Sequence, residues 1–184
     1  MTLAQIIKLA LRQLDEDIAD AAEYEELFVS YANQGNLIAM RQYYKPRETM
    51  RVTTGNDGMF YLQGMGVERV ISVRNPWGRE ARFDISEDGA QLQTGLPDMV
   101  ITITYVPEVR ELGLGDEPEF KSYAHPALAD YICYRHLSSG NLAKQSRAEF
   151  FRQAFYQQMR GIIPQGAGSV KQVRNLYEAT DIRR

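Results

Sequence analysis

The run "ETMRVTTGNDGMFYLQGMGVERVISVRNPWG", residues 48–78, changes the period of the sequence. Before it, apolar residues recur every three or four positions. Within it they alternate, in short stretches rich in Val, Ile, Thr, Tyr and Phe. A period of about 2 sends successive side chains to opposite faces of a strand, whereas about 3.6 lines them along one face of a helix. The alternation continues through "EARFDIS", "AQLQT" and "MVITITYV", and the stretches are separated by "GNDG", "GMG", "NPWG", "SEDG" and "GLPD". Turns this closely spaced leave no room for crossover helices. Residues 48–106 are therefore predicted to be an inserted antiparallel β meander or sandwich, and a doubly wound parallel sheet is excluded.

Helical periodicity stands on both sides of the insertion, so the fold class is α+β: a bundle of N- and C-terminal helices interrupted by a β module. Helices are predicted over 2–15, 21–43, 126–137 and 142–160, all within a single domain spanning 1–165. Leu3, Ile6, Ile7, Ala10, Leu11 and Leu14 form the first apolar stripe, and Thr2 with Gln5 has capping-box spacing. Asp20 and Glu23 repeat that spacing before the second helix, which carries Tyr24, Leu27, Phe28, Tyr31, Ile38 and Ala39 on one side and stops at Pro46. Gly35, inside that helix, costs about 1 kcal/mol relative to Ala and implies a close helix contact or a kink. Pro126 suits a first helical turn, and Asn141 suits the cap of a last helix whose stripe is Ala148, Phe151, Phe155, Met159 and Ile162. Residues 166–184 begin with the breakers of "GAGS" and hold only scattered apolar positions, which predicts an extended arm.

Composition narrows the functional classes. The 184 residues are 44% hydrophobic and 10% aromatic, as in an ordinary globular chain. No apolar run reaches the roughly 18 residues of a membrane helix, and the first residues lack a secretory leader's pattern, so a cytosolic, unprocessed chain is expected. A net charge of -3 argues against strong general affinity for nucleic acid, but the sign is unevenly distributed. Residues 1–27 carry two basic against seven acidic side chains, and residues 141–184 carry eight against three. Such opposed ends either face solvent or steer contacts between subunits or with an anionic partner.

Chemistry-bearing residues are sparse. Cys133 and His136 are three apart on a predicted helix, and His125 precedes its start. A structural zinc site draws about four ligands from Cys and His, and this chain has only these three, so no metal site is expected. A buried thiol and two partly exposed histidines are the expected arrangement. "GIIPQG" continues with Ala167 and Gly168 where a phosphate loop requires Lys and Ser or Thr, and "GMG" lacks the third glycine of a dinucleotide site. No catalytic residue and no cofactor is predicted. Trp77, in "NPWG", is expected to pack over its own hairpin, with an exposed interface anchor as the alternative.

In order, "EYEELFVSYANQGNLIAMRQYY", an insertion ending in "MVITITYVPEV", the loop "GDEPEF", "YAHPALADYICYRHL" and "RAEFFRQAFYQQMRGI" resemble the head-tail adaptor, or connector, proteins of tailed bacteriophages. The resemblance spans essentially the whole chain, with packing motifs and no catalytic ones. It implies a non-enzymatic virion protein, assembled in the host cytoplasm into a ring, usually of twelve copies. That ring sits between the portal protein and the next tail component, and DNA passes through it without sequence-specific binding. In that setting Tyr123, His125, Tyr131, Tyr134 and Trp77 are candidates for subunit contacts. Val170, Lys171, Val173, Arg174, Leu176, Tyr177, Ile182, Arg183 and Arg184 are candidates for a portal-docking arm. The alternatives are a small cytosolic hydrolase using acidic residues and a nucleic-acid-binding module using the basic tail.

Overall fold

A computed structural model describes residues 1–15 and 21–162. Helix α1 (Leu3–Leu14) is capped by Thr2, whose hydroxyl accepts from Gln5 N while the Gln5 side chain accepts from Thr2 N; all six predicted stripe residues are buried. Helix α2 (Ala21–Ile38) runs into a π-helical turn (Ala39–Tyr44), and the chain leaves it through Lys45 at φ 49°, just before Pro46. The predicted Asp20–Glu23 cap lies outside the described residues. Leu27, placed on the apolar side of α2 by spacing, is 42% exposed.

Helix α3 (Pro126–Leu137) starts with Pro126 in its first turn after a short 3-10 turn at Ser122–Ala124. Its residues Ala127 to Cys133 are all buried, because α1, α2 and α4 (Leu142–Arg160) surround it. Asn141 caps α4, accepting from Lys144 N at 3.1 Å, and the stripe from Ala148 to Ile162 closes the core against α3. Gly35 resolves as a close contact: a Cβ there would lie 3.0 Å from Tyr131 and 3.1 Å from Leu128.

The insertion forms seven strands: β1 (Glu48–Thr53), β2 (Met59–Tyr61), β3 (Val67–Arg74), β4 (Glu80–Ala81), β5 (Asp84–Ile85), β6 (Gln91–Gln93) and β7 (Val100–Pro107). Pairing is antiparallel throughout, as predicted, but the order is not that of a meander. One sheet runs β1-β7-β3-β4 and the other β2-β6-β5. "EARFDIS" divides between them, with β4 in the first sheet and β5 in the second, and Phe83 between them packs against the shared core. Leu62 and Leu92 from the smaller sheet meet Val70, Val73, Ile101, Ile103 and Tyr105 from the larger, so the module is a small sandwich. Its core is separate from the helical one.

Candidate interaction surfaces

The Cys and His residues are dispersed by the fold. Cys133 is fully buried, with Sγ 3.5 Å from the Ala10 carbonyl and 3.3 Å from Gln13 Oε1 on α1. Burial, reinforced by the Asp130 carboxylate, pushes its thiol up to about 12, the reverse of what an activated nucleophile requires. His136 turns instead toward α2, its ring edge-on to Tyr24 and Phe28 at 5.4 Å each. His125 was expected to be partly exposed but is 2% exposed: Nε2 lies 2.9 Å from the Phe120 carbonyl and Nδ1 2.9 Å from the Met1 α-amine. A ring nitrogen pair satisfied on both sides has its reason to be buried. Among the described residues, no three His, Cys, Asp or Glu side chains gather as metal ligands would.

One ionisable group was not singled out from the sequence. Asp130 is 5% exposed within α3 and accepts from Gln13 Nε2 on α1 at 3.0 Å and from Gln158 Nε2 on α4 at 2.6 Å. Desolvation raises its pKa above the ordinary carboxylate value, against the opposing pull of the two amide hydrogen bonds. The signal was available: a lone acid inside the apolar run "PALADYIC" has to find buried donors. Here the donors come from two different helices, so Asp130 ties the bundle together.

The interface candidates separate by exposure. Tyr131 is 4% exposed, filling the notch left by Gly35 and meeting the tilted ring of Phe155 at 4.9 Å. With His125, 2% exposed, it belongs to the interior of the helical bundle, whereas both were expected at a surface contact. Tyr134 is half-buried, and Tyr123 is 57% exposed with its hydroxyl donating to the Gly161 carbonyl. Trp77 was expected to pack over its hairpin but is 71% exposed. The turn is held by Asn75, whose side-chain oxygen accepts from Trp77 N and Arg79 N, so the indole is not needed to fold it. Phe150 (67% exposed) and Leu142 (82%), eight residues apart on α4, are exposed apolar side chains outside the predicted stripe. The predicted docking-arm residues, Val170 through Arg184, lie outside the described residues.

Two open clefts flank the linkers between bundle and sandwich. One, about 440 Å3, runs along α2 between Glu26 and Leu37 and is closed by Val109, Arg110 and Glu111. The other, about 480 Å3, lies where the π-helical turn meets the sheet; Arg41, Lys45, Arg47 and Arg69 line it, with Glu68 paired to Arg41 at 3.1 Å. Among the described residues no helix is long and apolar enough to cross a membrane. No protein-family model matches the chain, and no curated protein matches it significantly.

Proposed function

We propose that the chain is a structural head-tail adaptor of a tailed bacteriophage, joining portal to tail as a ring around the DNA channel. The observation that supports this reading best is the presence of exposed apolar anchors on two units with separate cores: Trp77 and Tyr61 on the sandwich, Leu142 and Phe150 on α4. A head-to-tail ring needs two different surfaces on each copy, one for each neighbour, and large aromatic side chains are the usual anchors of such contacts. The opposite charge of the terminal segments adds a steering term of the same polarity in every copy. In this reading the segment 166–184 reaches the portal, with its scattered apolar residues filling a groove and its cations meeting acidic portal surfaces.

The test is electron microscopy and sizing of the purified protein, alone and mixed with portal-bearing capsids. Closed rings, or rings nucleated on the portal, are the expected outcome, and a chain ending at Gln165 should fold but fail to join the capsids. A protein that remains monomeric at high concentration and ignores the portal overturns the reading.

A further inference from the structure

The larger sheet has one face in the sandwich core, and its other, open face sets arginines and hydroxyls beside the valines Val100 and Val106, with Ile71 lining the cleft at one end. Met50, Val52, Ile101, Ile103, Tyr105, Val70 and Val73 turn inward. Strand alternation therefore sends Thr49, Arg51, Thr53, Val100, Thr102, Thr104, Ser72 and Arg74 outward, Val100 being 50% exposed. The register aligns them in rows: Arg51, Thr102 and Arg74 lie side by side across β1, β7 and β3, and Thr49, Thr104 and Ser72 form the row beside them. Beyond it Arg47 and Arg69 flank Val106, lining the cleft that also holds Arg41 and Lys45. With strands about 4.8 Å apart and a rise of about 3.3 Å per residue, Arg47, Arg51, Arg69 and Arg74 mark the corners of a patch of about 10 by 13 Å. All four are exposed, and among the described residues none joins an ion pair. Two carboxylates border the patch: Glu80 stands across from Arg74, and Glu68 is taken up by Arg41.

We propose that this open face, with Arg47, Arg51, Arg69 and Arg74 at its corners, binds the sugar-phosphate backbone of duplex DNA without reading its sequence. Four cations held apart on a sheet, none in an ion pair among the described residues, call for a polyanion with charges repeating over the same distances. Duplex DNA carries one charge per about 1.7 Å of axis, so the patch spans several phosphates. Composition distinguishes DNA from an acidic protein. A protein interface centres on large apolar or aromatic anchors; the exposed aromatics Tyr61 and Trp77 lie off this face, on β2 and on the β3–β4 turn, and the exposed aliphatic it does hold, Val100, stands at the end of β7 beyond the arginine rows. Arginine with threonine and serine hydroxyls is a set that contacts phosphate and sugar, and since arginine can also bond a guanine edge, a duplex of unrelated sequence tests the sequence independence. The inference goes beyond the adaptor reading and does not require ring assembly, so failure of one leaves the other standing.

The experiment is fluorescence anisotropy of the full-length protein with a labelled duplex of arbitrary sequence, at about 50 to 200 mM salt. Four phosphate contacts predict a slope of log K against log salt near -3.6, at about 0.9 per contact. Arg51→Gln with Arg74→Gln should flatten that slope by about 1.8. Arg51→Lys with Arg74→Lys keeps the charge and should keep most of the slope, which separates lost contacts from lost folding. Arg12→Gln with Arg160→Gln removes the same net charge from the bundle and should leave the slope unchanged, and a second duplex of unrelated sequence should bind alike. The proposal is overturned if the wild-type protein does not bind at low salt, or if the Gln pair binds like wild type. It is equally overturned if Lys171→Gln with Arg174→Gln abolishes binding instead, or if polyglutamate displaces the duplex charge for charge.

Discussion

Replacing Gly35 by Ala sets two effects of known sign against each other. In an unconstrained helix interior the change stabilises by about 0.8 to 1.0 kcal/mol, because alanine loses less backbone freedom on folding. Here the new methyl would sit 3.0 Å from Tyr131 Cγ and Cδ1 and 3.1 Å from Leu128 Cδ2, several tenths of an ångström inside ordinary contact. Relief requires a neighbour to move. Leu128 is fully buried, and Tyr131 is wedged against Phe155 at 4.9 Å and Tyr134 at 5.8 Å. Overpacking a tight core costs about 1 to 3 kcal/mol, so the net expectation is a loss of about 1 kcal/mol. At a urea slope of about 2 kcal/mol/M this lowers the unfolding midpoint by about 0.5 M. Gly64→Ala is the companion measurement: nothing lies within 4 Å of its Cβ, but its φ of +75° leaves a strain of about 1 kcal/mol. A Gly35→Ala protein whose midpoint equals or exceeds wild type would refute the reasoning, since it would mean that α2 and α3 are not in the tight contact described.

Two further expectations concern the buried ionisable groups. Because the folded pKa of Asp130 is raised, the native state holds its proton to higher pH than the unfolded chain does, and stability falls as pH rises through the interval between the two values. Asp130→Asn should flatten that part of a pH series of denaturant melts; an unchanged slope would remove Asp130 as its source. Cys133, fully buried and with its thiol near 12, should resist aromatic disulfide reagents at pH 8 until denaturant is added, and rapid labelling of native protein would contradict the burial. Cys133→Ala should cost about 1 to 3 kcal/mol, read from the same melts.

Element type was legible because it depends on neighbours in sequence. The stripe of α1, Pro126 at the start of α3, the Asn141 cap and the alternation of "MVITITYV" are all local signals, and each formed the element it predicts. Strand partnership was not legible. Alternation says which residues share a face but not which strand lies beside which, so the meander drawn from the turns gave way to pairing of β1 with β7 across the whole insertion. For the same reason the row Arg51, Thr102 and Arg74 could not be seen in sequence: its members are dozens of residues apart and meet only through register. The exposure of Trp77 was missed because the Asx geometry of Asn75, which makes the indole dispensable, looks like any other turn residue in a string of letters. The burial of Tyr131 was half-written in Gly35, whose missing side chain announced that something large would come close.

The pairing of Glu48 with Tyr105 brings the entrance and exit of the insertion onto neighbouring strands, about 5 Å apart. Seen from the bundle, nearly sixty residues leave and return through one narrow doorway. The Tyr105 hydroxyl, donating to Glu48 at 2.9 Å, latches that doorway shut. The cost of closing so long a loop is met inside the loop, by the β1–β7 ladder and its own core, and not by the helices. The sandwich is in that sense a cassette: a short glycine bridge from Pro46 to Glu108 would replace it without asking the four helices to move, and another module with equally close ends would fit the same socket.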